Sequence, residues 1–103
     1  MGMRTILLCA GFAAASAAHG QTPDALYVKS LAATCANCHG TDGRTTTGSA
    51  VPALAGMPRE YMLLQLKSFR DGSRPATVMH QITKGFSEPQ LQQIASYFAA
   101  QKK

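Results

Sequence analysis

The sequence predicts an all-α fold, with about four helices in a single small domain. Three observations carry that expectation. No segment alternates apolar and polar residues with the period of two that a half-buried strand needs. Prolines at positions 23, 58 and 89 stand where helices begin, a place that tolerates the missing N–H. The last segment carries apolar residues at i, i+3, i+4 and i+7, the stripe of an amphipathic helix.

Each element can be justified in order. Thr22-Pro23-Asp24 reads as a helix start, and Ala25 to Thr34 continues without Gly or Pro. Val28, Leu31, Ala32 and Cys35 fall on one face of that helix. Residues 40–50 are rich in Gly, Thr and Ser and read as loop, followed by an irregular Val51-Pro52-Ala53-Leu54-Ala55-Gly56. A second helix should run from Pro58 to Asp71-Gly72. Its interior is apolar nearly all round, which predicts cover on every side. A short helix is expected from Ala76 to Lys84, between Pro75 and Gly85. The last helix opens with Ser87 and Gln90 in capping-box spacing, and Leu91, Ile94, Ala95 and Phe98 form its apolar stripe. Lys102 and Lys103 suit the negative end of its dipole.

Residues 1–20 read as a cleaved secretory leader, leaving a domain of residues 21–103 in the periplasm. The apolar stretch from Ile6 to Ala18 is shorter than the roughly 20 residues a membrane span needs, so no stable membrane insertion is expected. Once Arg4 leaves with the leader, nine basic and five acidic side chains remain, a net charge of +4. That balance favours an anionic docking surface on a partner, and no nucleic-acid ligand is expected. A chain this short, with no Trp, builds a thin core of its own, so a staple, metal or cofactor should complete it.

The most informative run is Cys35-Ala36-Asn37-Cys38-His39. C-x-x-C-H is the attachment motif for c-type haem. Two thiols three residues apart on one helical face can each meet a haem vinyl group, and the adjacent imidazole of His39 then turns toward the iron. A structural zinc site needs four ligands, and no second C-x-x-C follows. A thioredoxin-like redox pair expects a βαβ setting that this helical pattern lacks. A plain disulfide is open to an exported protein, but export, the adjacent His39 and the thin core all agree with a haem. One covalently bound haem c is therefore expected on Cys35, Cys38 and His39. For the second axial position Met57, Met79 and His80 compete. Met79 is favoured because it lies between Pro75 and Gly85, in the half of the chain that must cover the far side of a haem. Met62, inside an apolar helix, reads as core.

These residues resemble the small bacterial cytochromes c. The run Cys35 to Gly43 looks like their haem-binding start, and Pro52-Ala53-Leu54-Ala55-Gly56 is similar to their Pro-x-Leu-Ala-Gly segment. The resemblance implies that the Pro52 carbonyl accepts a hydrogen bond from His39 and that Leu54 packs on the haem. Tyr61, Gln65, Leu66, Phe69, Arg70, Gly72 and Arg74 resemble the family's following helix, and Ile94 to Phe98 its closing one. Met79, ahead of Phe86-Ser87, matches the family's distal methionine. Residues 78–87 look more narrowly like the cytochrome subunit of flavocytochrome c sulfide dehydrogenases. Tyr27 and Leu31 depart from the family, which often has a small residue and an aromatic where the first and last helices cross.

The resemblance implies one-electron transfer without bond chemistry on a substrate. It implies a redox protein partner, an FAD-containing sulfide dehydrogenase subunit in the narrower reading. The alternative is a free periplasmic carrier between a membrane complex and a terminal oxidase or reductase. A third reading is an open iron position that binds gas or peroxide. No catalytic residue is expected in the first two.

Overall fold

A computed structural model describes residues 22–103, together with Gly2 and Gly20. The expected leader and its cleavage site lie outside the described residues. The described chain forms five α-helices: α1 (Pro23–Ala33), α2 (Ala36–His39), α3 (Arg59–Asp71), α4 (Met79–Lys84) and α5 (Glu88–Ala99). A single 3₁₀ turn, Thr41–Gly43, follows α2. No strand occurs among the described residues.

Local chemistry explains most of the boundaries. The Thr22 hydroxyl accepts from the Ala25 amide at 3.2 Å and opens α1. Both halves of the capping box form at α5. Ser87 Oγ accepts from the Gln90 amide at 3.3 Å, and Gln90 Oε1 accepts from the Ser87 amide at 2.8 Å. Gly72, with φ +84°, ends α3 in the left-handed conformation.

Two boundaries differ from the sequence reading. The short helix begins at Met79 rather than Ala76, since the β-branched pair Thr77-Val78 is stiff at χ1 and Val78 takes a non-helical φ of −134°. Lys102 and Lys103 lie beyond α5, which ends at Ala99. The fifth helix, α2, is one turn long and almost continues α1. The Cys35 amide donates to Ala32 O at 3.0 Å, and the His39 amide to Cys35 O at 2.9 Å.

The core gathers around α5. Leu91, Ile94, Ala95 and Phe98 are all buried, as their spacing predicts, and they pack with Ala32 of α1 and Met62 and Leu63 of α3. Small Ala32 and Ala95 let α1 approach α5 closely. The departure at Tyr27 is absorbed by a hydrogen bond, its hydroxyl accepting from Gln90 Nε2 at 2.9 Å. Lys67 Nζ reaches Glu88 Oε1 at 2.8 Å, and Arg59 Nε donates to Ser96 Oγ at 2.8 Å; both join α3 to α5. The expectation of cover all round the second helix does not hold. The chain packs α3 against α4 and α5 and leaves Tyr61 and Leu64 52% and 60% exposed.

Candidate haem site

The continuation of α1 into α2 places Cys35, Cys38 and His39 on successive turns. Both thiols are free. Burial pushes the Cys35 thiol above the usual cysteine range, only partly offset by its contact with Thr34.

His39 is the buried member of the motif, 8% exposed. Its Nδ1 lies 2.7 Å from the carbonyl oxygen of Pro52. A carbonyl can only accept, so Nδ1 carries a proton, and in the neutral ring Nε2 is then the nitrogen with the free lone pair. That is the tautomer a metal-ligating histidine needs, with its second nitrogen oriented by a carbonyl. The structure thus brings together His39 and Pro52, 13 residues apart, in the contact the family resemblance implies.

Two turns hold this geometry. Gly40, with φ +82°, ends α2; a side chain there would put its Cβ 2.0 Å from Arg44 O. Gly43, with φ +77°, sits under the Pro52 segment, and its carbonyl accepts from the Leu54 amide at 2.8 Å and the Ala55 amide at 3.2 Å. Leu54 and Met57 are half-buried against the edge of the core, together with Cys35, Leu66 and Phe86.

Met79 is the first residue of α4 and is half-buried. Its helix is anchored by Thr83, a residue the sequence reading passed over. Thr83 is 1% exposed, and its hydroxyl donates to Met79 O at 2.9 Å. A threonine four residues after a helix start is the available signal, since it can bond back to that turn. His80 is turned elsewhere. It lines a pocket of about 320 Å³ between α4 and the end of α3, beside Arg70, Arg74 and Lys84. Its Nδ1 is buried and has no hydrogen-bond partner. Shape alone does not find the motif. A larger groove of about 950 Å³ lies between α1 and α5, lined by Val28, Lys29, Gln93 and Tyr97 and by no motif residue.

These residues fit a haem. A protonated Nδ1 frees Nε2 for iron, two free thiols precede it, and large apolar side chains such as Leu64, Val78 and Ile82 remain uncovered by the chain itself. Among the described residues no three His, Cys, Asp or Glu converge on a metal-sized site.

Comparison with known proteins agrees with this geometry. The sequence pattern of the cytochrome c family matches residues 25–101. The cytochrome subunit of sulfide dehydrogenase from Chlorobaculum tepidum is 41% identical over 68 residues, covering 66% of this chain and 60% of that protein. Cytochrome c4 from Pseudomonas aeruginosa is 36% identical over 98 residues, covering 95% of this chain and 47% of the relative. A cytochrome c4 structure from Acidithiobacillus ferrooxidans superposes with a TM-score of 0.67 at 28% identity, covering 81% of this chain and 52% of that one. The chain spans about half the length of the two cytochromes c4 and 60% of the sulfide dehydrogenase subunit. By sequence, fold and motif the chain belongs to the cytochrome c family, an all-α electron-transfer family whose covalently bound haem c is held here through the region of Cys35 and Cys38.

Proposed function

We propose that the protein carries single electrons in the periplasm as the cytochrome subunit of a sulfide-oxidising flavoprotein, with His39 and Met79 as the residues that would hold the iron. Haem c, when bound, supplies an iron that gains and loses one electron. The protein's residues supply everything else in this reading. Cys35 and Cys38 would hold the haem through thioether bonds. The Pro52 carbonyl holds the His39 ring in one orientation and keeps a proton on Nδ1. Leu54 would pack on the haem. Met79 would offer the iron a soft thioether, which favours the reduced metal and suits an acceptor of electrons.

The observation that carries the assignment is the 2.7 Å contact between His39 Nδ1 and Pro52 O, since it engages Nδ1 and leaves Nε2 as the nitrogen available to iron inside the motif. Met79 is preferred over His80 because His80 lines a separate pocket among cationic side chains, while Met79 heads a helix tied down by buried Thr83. The narrower assignment rests on the sulfide dehydrogenase relative at 41% identity. A free electron carrier is the second reading, favoured by the cytochrome c4 relatives. No helix among the described residues is long and apolar enough to cross a membrane, which suits either role.

Two experiments test this. Met79→Ala should abolish the sulfur-to-iron absorption band, open the iron to small ligands and lower the midpoint potential, while His80→Ala keeps the band. The opposite pattern would refute the ligand assignment. Native purification should bring a flavoprotein with the chain; its absence from the native preparation would favour the free carrier.

A further inference from the structure

A polar network at the end of α5 is not explained by the haem motif. Tyr97, near the end of α5, donates from its hydroxyl to Asp42 Oδ1 at 2.5 Å. Asp42 sits in the 3₁₀ turn after the motif with φ +54°, the left-handed region that a non-glycine residue enters only when something holds it. Arg44 approaches the other carboxylate oxygen at 3.7 Å, and its Nε donates to Lys102 O at 3.0 Å. The turn is thus tied to the C-terminal end of the chain on two sides.

The next residue carries the effect inward. Gly43 O accepts from the amides of Leu54 and Ala55. Leu54 is two residues from Pro52, whose carbonyl faces His39 Nδ1. The path from Tyr97 through Asp42, Gly43 and Leu54 to Pro52 is short, continuous and made of hydrogen bonds and backbone. Its far side is fixed as well, because the Gly56 amide donates to Phe98 O at 2.9 Å. The last turn of α5 therefore grips both loops that meet at His39.

We propose that Tyr97 and Asp42 are positioning residues for the iron-ligating histidine, setting how closely the Pro52 carbonyl approaches His39 Nδ1. The proposal rests on His39 holding the iron, as argued above. A carbonyl held close to Nδ1–H makes the imidazole a stronger donor and favours the oxidised metal. Freeing Asp42 lets the Gly43 turn relax and carries the Pro52 segment with it. The Nδ1–H bond then lengthens, the imidazole donates less, and the midpoint potential moves positive.

Tyr97→Phe removes only the hydroxyl and keeps the ring, which stacks edge-on against Phe98 at 5.3 Å. Tyr27→Phe is the matched control, because it also deletes a hydroxyl hydrogen bond at the α1–α5 contact but has no path to Gly43. Both variants are made in the haem-loaded protein. Two readouts are followed: the midpoint potential, and the deuterium exchange rate of the His39 Nδ1 proton by NMR. Tyr97→Phe should raise the exchange rate roughly tenfold and shift the potential positive, while Tyr27→Phe matches the parent in both. Asp42→Ala should reproduce Tyr97→Phe, and Asp42→Asn, which keeps an acceptor oxygen, should restore most of the parental behaviour. Unchanged potential and exchange in Tyr97→Phe overturn the proposal. So does an equal shift in Tyr27→Phe, which would mark general loosening. If the parent shows no iron-shifted His39 ring signals, the ligand assignment itself fails, and the positioning role falls with it.

Discussion

Gly43→Ala measures how far the fold gives beside the haem site. A Cβ built at this position lies 2.8 Å from Phe98 Cδ1 and 2.9 Å from both Ala55 N and Leu54 Cβ. None of the three is the free end of a flexible chain. Phe98 is 1% exposed in the core, and Ala55 N donates to Gly43 itself. Two costs add. The left-handed backbone, φ +77°, costs an alanine about 1–2 kcal/mol. Pushing three packed atoms apart costs about 1–3 kcal/mol more. Gly72→Ala separates them, because Gly72 has φ +84° but nothing within 4 Å of its would-be Cβ. It should show the backbone cost alone. A domain of this size loses about 4–8 °C in Tm per kcal/mol, so Gly43→Ala should melt at least about 4 °C below Gly72→Ala. Thermal unfolding of the haem-loaded variants, followed by far-UV circular dichroism, provides the comparison. Equal melting temperatures would show that the Pro52–Gly56 loop yields freely, and the packing argument for the site would fail.

Cys35→Ala or Cys38→Ala should sharply lower the yield of protein that keeps haem in acidified acetone, while the parent gains the mass of one haem. The hydrogen bond to Asp42, with burial, holds the Tyr97 phenol above its ordinary value of about 10. Because the fold favours the protonated phenol, that contribution is complete below about pH 10 and is lost as pH rises through the folded value; urea midpoints should fall there more steeply in the parent than in Tyr97→Phe. Thr77 and Asn37 are exposed beside the proposed iron ligands, so Thr77→Glu should slow electron entry from the partner without altering the haem spectrum, and Lys102→Glu should do little. Steep salt dependence that tracks the lysines would overturn that placement of the docking face.

Much of this molecule is legible in its sequence because its signals are local. The C-x-x-C-H spacing, the Ser87/Gln90 box and the stripe of Leu91, Ile94, Ala95 and Phe98 each span about two turns or fewer, and each depends on helix geometry alone. The start of the short helix is not legible from Pro75, because stiff Thr77 and Val78 delay it to Met79. Cover of the second helix was overestimated for a related reason. An apolar composition shows that a surface is costly to expose, but not which neighbour covers it. Here α5 covers Met62 and Leu63 and leaves Tyr61 and Leu64 outside.

The contacts that orient His39 were legible only through family resemblance, and the reason is physical. A carbonyl oxygen is present at every residue, so nothing in Pro52 marks it as the acceptor. What selects it is the path of the loop, and that path is held from a distance, by Gly43 beneath it and by Phe98 and Tyr97 at the end of α5. Residues 39 and 52 meet in loops that residues 97 and 98 hold, because α5 folds back over the start of the chain. The helix that closes the core is therefore the one that orients the histidine. In a domain this small, fold stability and the electronic setting of the site share the same few residues. Substitutions at the end of α5 should change both together, whereas substitutions on exposed parts of α1, such as Leu26 or Lys29, should change neither.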